Sequence, residues 1–268
     1  MITVGFCALL FAQAPTGNPD GLKSMQDSAR LYQVLPGDRS EPLQLRDEPA
    51  FRLGRQGMGN VLEGAIFFWV DDLGRPEAAV QIYLRRTEDA AEGKWFHEFT
   101  SLAPGLLHAR EDGTEIWSPR VPGLAFEPLP KGPEPAATPA LRGQQMRALA
   151  RGFKASRAAE LRSSQKGWNE LRLLPTPIAR YGKTGGAVID GALFAFVIGT
   201  DPEVFLFVEE RPGPDGPRWQ YALAPMSAWP LKASGPGGIA WELPYRTPVD
   251  RTQPLFSRPY LLAKPETP

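Results

Sequence analysis

Residues Glu63–Val70 read EGAIFFWV, and residues Asp190–Val197 read DGALFAFV. Both stretches run acid, Gly, Ala, branched aliphatic, Phe, a sixth position that differs, an aromatic and Val. A strand with one face in water alternates apolar and polar residues. From Ala65 to Val70 and from Ala192 to Val197 every position is apolar, so both faces of these strands must be covered.

Sliding the chain on itself extends the match in both directions. Gln44-Leu45-Arg46 falls on Glu170-Leu171-Arg172, Arg52-Leu53-Gly54 on Arg180-Tyr181-Gly182, and Pro76-Glu77 on Pro202-Glu203. Trp95 meets Trp219 and Trp117 meets Trp241. Upstream, Met25 to Tyr32 matches Met146 to Phe153, with Met, Ala and an aromatic on one helical face in each. A collinear series of this kind points to an internal duplication.

The expected fold is therefore α+β. Each copy is read as one helix followed by an antiparallel β-meander of four to five strands, and the two copies pack with pseudo-two-fold symmetry. Strands are expected at 43–47, 61–71, 77–86, 94–103 and 114–118, then at 169–174, 187–198, 203–211, 218–226 and 238–243. The organisation reads as a signal segment over 1–16, copy one over 17–127, a Pro-rich linker over 128–140 and copy two over 141–268. Five prolines between Pro128 and Pro139 make that linker stiff and extended.

The 268 residues carry 30 Lys plus Arg against 30 Asp plus Glu, a balance that gives nucleic acid no electrostatic claim on the whole chain. The 29 prolines, about twice the usual ~5%, favour short strands and turns over long helices. The single cysteine, Cys7, lies in the first apolar run. That run, Ile2 to Ala12, precedes Ala12-Gln13-Ala14, a small-x-small cleavage pattern, and reads as an export signal. The expected location is periplasmic or extracellular, or cytoplasmic if the run is not a signal. The run is too short for a bilayer, which needs about 20 apolar residues, so no membrane span is expected.

The residues offer little catalytic machinery. His97 falls opposite Tyr221 in an aromatic row and reads as core with a satisfied polar tip; His108 reads as a surface loop residue. GKTGG at Gly182 lacks the upstream glycine of a phosphate loop and reads as a turn, as does Asp71-Asp72. No cofactor or metal is expected. The polar positions kept in both halves are Arg46 and Arg172, Arg52 and Arg180, Glu63 and Asp190, and Glu77 and Glu203. They are candidates for ion pairs that pin the fold or for two related binding sites. The stretch 141–166 carries Arg142, Arg147, Arg151, Lys154 and Arg157 with Glu160 as its one acid, and a basic helix there is a candidate anion-binding surface.

The leading functional expectation is a non-enzymatic, exported binding or scaffold protein whose partner is a protein or an envelope polymer. A carboxylate-based hydrolase is the competing reading, and an adaptor holding anionic polymer or lipid on helix 141–166 the third. An enzyme should gather two or more acids in a pocket. A scaffold should pair them with arginines or leave them in water.

Overall fold

The computed structural model describes residues 19–37, 39–54, 61–87, 90–161 and 163–260; the expected signal segment, 1–16, lies outside them. In chain order the first part comprises α1 (Pro19–Arg30), β1 (Tyr32–Pro36), β2 (Gln44–Leu45), β3 (Phe51–Leu53), β4 (Val61–Val70), β5 (Pro76–Thr87), β6 (Ala90–Ser101), β7 (Leu107–Glu111), β8 (Thr114–Trp117) and β9 (Glu127–Pro128). It continues with α2 (Pro139–Arg151), β10 (Lys154–Glu160), β11 (Ser163–Leu173), β12 (Ala179–Tyr181), β13 (Asp190–Ile198), β14 (Asp201–Arg211), β15 (Arg218–Pro225), β16 (Leu231–Gly235), β17 (Ile239–Leu243) and β18 (Leu255–Tyr260).

The strands form three antiparallel sheets. A six-stranded sheet runs β18-β6-β5-β4-β2, with β3 also on β4. A nine-stranded sheet runs β17-β16-β10-β11-β13-β14-β15-β9, with β12 on β13. The third is the small sheet β1-β7-β8.

The two apolar phrases are the centres of the two large sheets, and every residue from Gly64 to Val70 and from Asp190 to Val197 is buried. Ile66, Phe68 and Val70 of β4 pack against Leu193, Ala195, Phe205 and Phe207, forming a layer between the sheets. Their neighbours Ala65, Phe67 and Trp69 face Met25 and Ala29 of α1 together with Tyr32 and Val34 of β1. On β13, Phe194 and Phe196 turn away from the other sheet to meet Met146 and Ala150 of α2. Each large side chain so buried contributes roughly 1.5–3 kcal/mol of transfer free energy. The shared glycine has a packing cause. Gly64 lies under β3, where an added Cβ would come 2.6 Å from Leu53 Cδ1; at Gly191, under β12, it would come 2.5 Å from Tyr181 Cε2.

Helix α2 is capped locally. Thr138 accepts from Leu141 N at the start of α2, Pro139 fits a position whose N–H needs no partner, and Gly152 closes the end. Gln145 and Arg142 bind back to the chain at Glu134, Ala136 and Ala137, so the Pro-rich approach is tied onto α2.

The α+β expectation is corrected. The chain is mostly β, with 51% strand and 12% helix, and it is not two copies of helix plus meander. The expected strands at the two phrases and their hairpin partners are present. Strands β1, β3, β7, β9, β10, β12, β16 and β18 were not expected, and they enlarge the sheets. They are short or poor in large apolar residues, as in KASRAAE of β10 and LKASG of β16. Two of them cross between halves: β9 pairs with β15 and β18 pairs with β6, so cutting the chain between its halves would strip a strand from each large sheet. The expected basic helix over 141–166 is also shorter than read. It ends at Arg151, and the chain continues as β10 and β11.

Candidate functional site

The hairpin between β4 and β5 is set by Asp71. Its Oδ1 accepts Leu73 N at 2.9 Å and Arg75 N at 2.8 Å, and Gly74 takes the positive φ the turn requires. This places Arg75 at the seam between the two large sheets, where it is 2% exposed. Arg75 Nε donates to Glu209 Oε1 at 2.8 Å and Nη1 to Glu77 Oε1 at 2.5 Å, while Nη2 reaches the Leu102 carbonyl. Glu209 also accepts from Tyr181 Oη at 2.7 Å and Arg211 Nε at 2.6 Å. Phe126 and Phe207 flank the guanidinium at 5.1 and 5.0 Å. Burial raises the Glu77 pKa, against the opposing pull of Arg75.

Glu77 and Asp71 also line a half-open cleft of about 540 Å³ between this hairpin and the β1–β7 edge. Its walls are Pro36, Leu43, Ala103, Pro104, Leu106 and Leu107, and Arg39 stands at its side. Leu106 is 46% exposed, an apolar side chain held open to solvent. Mostly apolar walls with a few convergent polar groups, in a space of this size, are the usual form of a small-ligand site.

The other acids expected from the sequence are neutralised. Asp190 accepts from Arg142 Nε at 3.0 Å and from Arg180 Nε and Nη2 at 3.1 and 2.8 Å, tying α2 to β12 and β13. Glu203 is bonded to Arg157 and to the Ser227 hydroxyl. Glu63 lies beside Gly21 in the first turn of α1, where a helix N-terminus favours negative charge. Arg46 and Arg172 do equivalent work: each donates to a turn carbonyl, Gly74 and Gly199 respectively. Arg52 is half-buried on β3.

Of the candidate anion-binding set, Arg142 and Arg157 are buried in ion pairs and Arg147 is half-buried, which leaves Arg151 and Lys154 exposed. Lys183–Gly186 is a turn, as read. His97 is fully buried on β6, with Tyr32 Oη 2.7 Å from its Nδ1 and the rings edge to face. Burial, then Arg258, lowers its pKa to about 3, so the ring is neutral. His108 lies on strand β7, half-buried, where a surface loop was expected.

One polar cluster escaped the sequence reading. Glu98, Gln81, Asp201 and Glu203 meet at the end of the seam between the sheets. Gln81 Nε2 donates to Asp201 Oδ1 at 3.3 Å, and among the described residues Arg157 is the one guanidinium bonded to a member of the group. Glu98 is 8% exposed; burial first, then Asp201 and Glu203, raises its pKa to about 8. Burial and Glu203 likewise raise Asp201. Asp201 and Glu203 belong to the second sheet and are remote from Glu98 in sequence, so no local pattern brings the group together.

Among the described residues no three His, Cys, Asp or Glu side chains are grouped so as to hold a metal ion. No helix of the described residues is long and apolar enough to cross a membrane. Compared with known protein families, with curated proteins and with solved structures, the chain matches none.

Proposed function

We propose that this is a non-enzymatic binding protein whose ligand seats in the cleft between the Asp71–Arg75 hairpin and the β1–β7 edge. The ligand class is an apolar body bearing an amine or hydroxyl head, which would lie along Leu43, Leu106 and Leu107 and donate to Glu77. The observation that carries this reading is the cleft itself: apolar walls ending at a carboxylate that the Arg75 network holds in place. The pairing of Glu77, Asp190 and Glu203 with arginines supports binding over catalysis, because an acid fixed in an ion pair is a poor proton donor. The apolar start of the sequence supports a site of action outside the cytoplasm, in the cell envelope or beyond it.

The test uses phenethylammonium and the neutral phenethyl alcohol as probes in thermal melts. A ligand at 100 times its Kd adds about 2.7 kcal/mol. At roughly 2–4 °C per kcal/mol, that raises the melting temperature by about 5–10 °C. The rise should be larger for the ammonium probe and should shrink in Glu77→Gln. Equal shifts in both proteins would remove the cleft from the proposal.

Carboxylate catalysis is favoured by one observation, that Asp71 and Glu77 line the same cleft. Turnover of a chromogenic glycoside or ester, abolished alike by Asp71→Asn and Glu77→Gln, would replace binding with hydrolysis.

A further inference from the structure

The nine-stranded sheet ends at β9 and β17, and a second pocket of about 250 Å³ is lined by residues of both edges. One wall is Glu127, Tyr221 and Leu223; the other is Trp241 and Leu243, with Arg246 beside them. Glu127 is exposed and already accepts the Tyr221 hydroxyl at 2.8 Å. Arg246 is different. Its backbone is pinned, N to Ala228 O at 3.0 Å, but among the described residues its guanidinium has no carboxylate or carbonyl partner. It is half-buried, and burial alone lowers its pKa, with no acid opposing that loss. Among the described residues, the fully buried arginines Arg75, Arg142 and Arg157 are each matched by acids. A guanidinium withdrawn from water without a counter-charge costs free energy, and a planar carboxylate is the group that meets its fork of donors.

We propose that this pocket binds a small monocarboxylate with an aromatic or short aliphatic body, its carboxylate paired with Arg246 and its body between Trp241, Tyr221 and Leu243. The volume is at the low end for ligand sites, so the ligand is small. A second negative charge would face Glu127, so one carboxylate is the fitting charge. This site is separate from the cleft beside Glu77 and does not rest on it.

The experiment is a titration of the ¹⁵N-labelled full chain with benzoate, and separately with benzyl alcohol, following the Trp241 indole N–H by NMR. Benzoate should move that signal saturably and bind at least tenfold more tightly than benzyl alcohol. Arg246→Gln should weaken benzoate at least tenfold, and Arg246→Lys by less. No saturable shift with benzoate, equal affinity for the alcohol, or undiminished binding to Arg246→Gln would each overturn the proposal. If Arg246→Gln does not fold, the ratio of the two probes on the unaltered protein decides alone.

Discussion

Replacing Glu98 by Gln removes one titrating group from the seam while keeping its shape. In the folded protein the Glu98 pKa stands at about 8 against an ordinary 4.5. A raised carboxyl pKa means that stability is fully present below 4.5 and is lost as pH rises through about 8. Each unit is worth about 1.4 kcal/mol, so the rise from pH 6 to pH 8 removes roughly 2–3 kcal/mol from the unaltered protein. That is an upper figure, because relaxation and water entry soften the burial of a real charge. The groups facing Glu98 are Tyr83, Gln81, Asp201, Glu203 and the more distant Arg85. Gln at 98 remains neutral throughout, and its amide offers a donor to Gln81 Oε1, which is buried without a partner. The melting temperatures of Glu98→Gln and the unaltered protein should therefore diverge with pH. The gap should widen in favour of the variant by ~5–10 °C between pH 6 and pH 9, at roughly 2–4 °C per kcal/mol. Parallel melting curves across that range would refute the buried-acid reasoning.

On the acid side the sign reverses for His97, whose folded pKa is depressed to about 3 from 6.5. Its stability contribution is present above 6.5 and is lost as pH falls toward 3, so His97→Gln should flatten the acid limb of a melting profile between pH 6 and 4. Arg75→Met should cost about 3–5 kcal/mol by chemical denaturation, since it leaves Glu77 without its cation and Glu209 with Arg211 alone; Arg75→Met with Glu77→Gln should recover part of it. N-terminal sequencing of the protein from its native host should find a start near residues 15–17, after Ala12-Gln13-Ala14, and an intact Met1 would remove the export proposal.

The central strands were legible because their signal is local. EGAIFFWV and DGALFAFV are apolar at consecutive positions, and prolines at 76 and 202 mark their hairpins. The overall class was not legible. Strands such as β10 and β16 carry Lys, Ser and small residues, and they become strands through the partners they meet, Leu171 and Ala233 for Ala155, rather than through their own pattern. β9 and β18 are added to sheets far away in sequence, which no periodicity records. The same limit governed the site. Glu77 was visible as an acid kept at matching positions, but Arg75 read as an ordinary turn residue, and Glu209 stood at the end of an apolar run with no sign that three donors, Arg75, Tyr181 and Arg211, would converge on it. Arg246 gave no signal, since a lone arginine among prolines reads as surface.

The most direct test of ligand binding in the Glu77 cleft is a titration of the leucine-methyl-labelled chain with phenethylammonium at pH 7. Binding predicts saturable, reversible shifts of Leu43, Leu106 and Leu107 that weaken in Glu77→Gln, with the probe recovered unchanged. Unmoved methyls at these three positions, or shifts of the same size in Glu77→Gln, would contradict it.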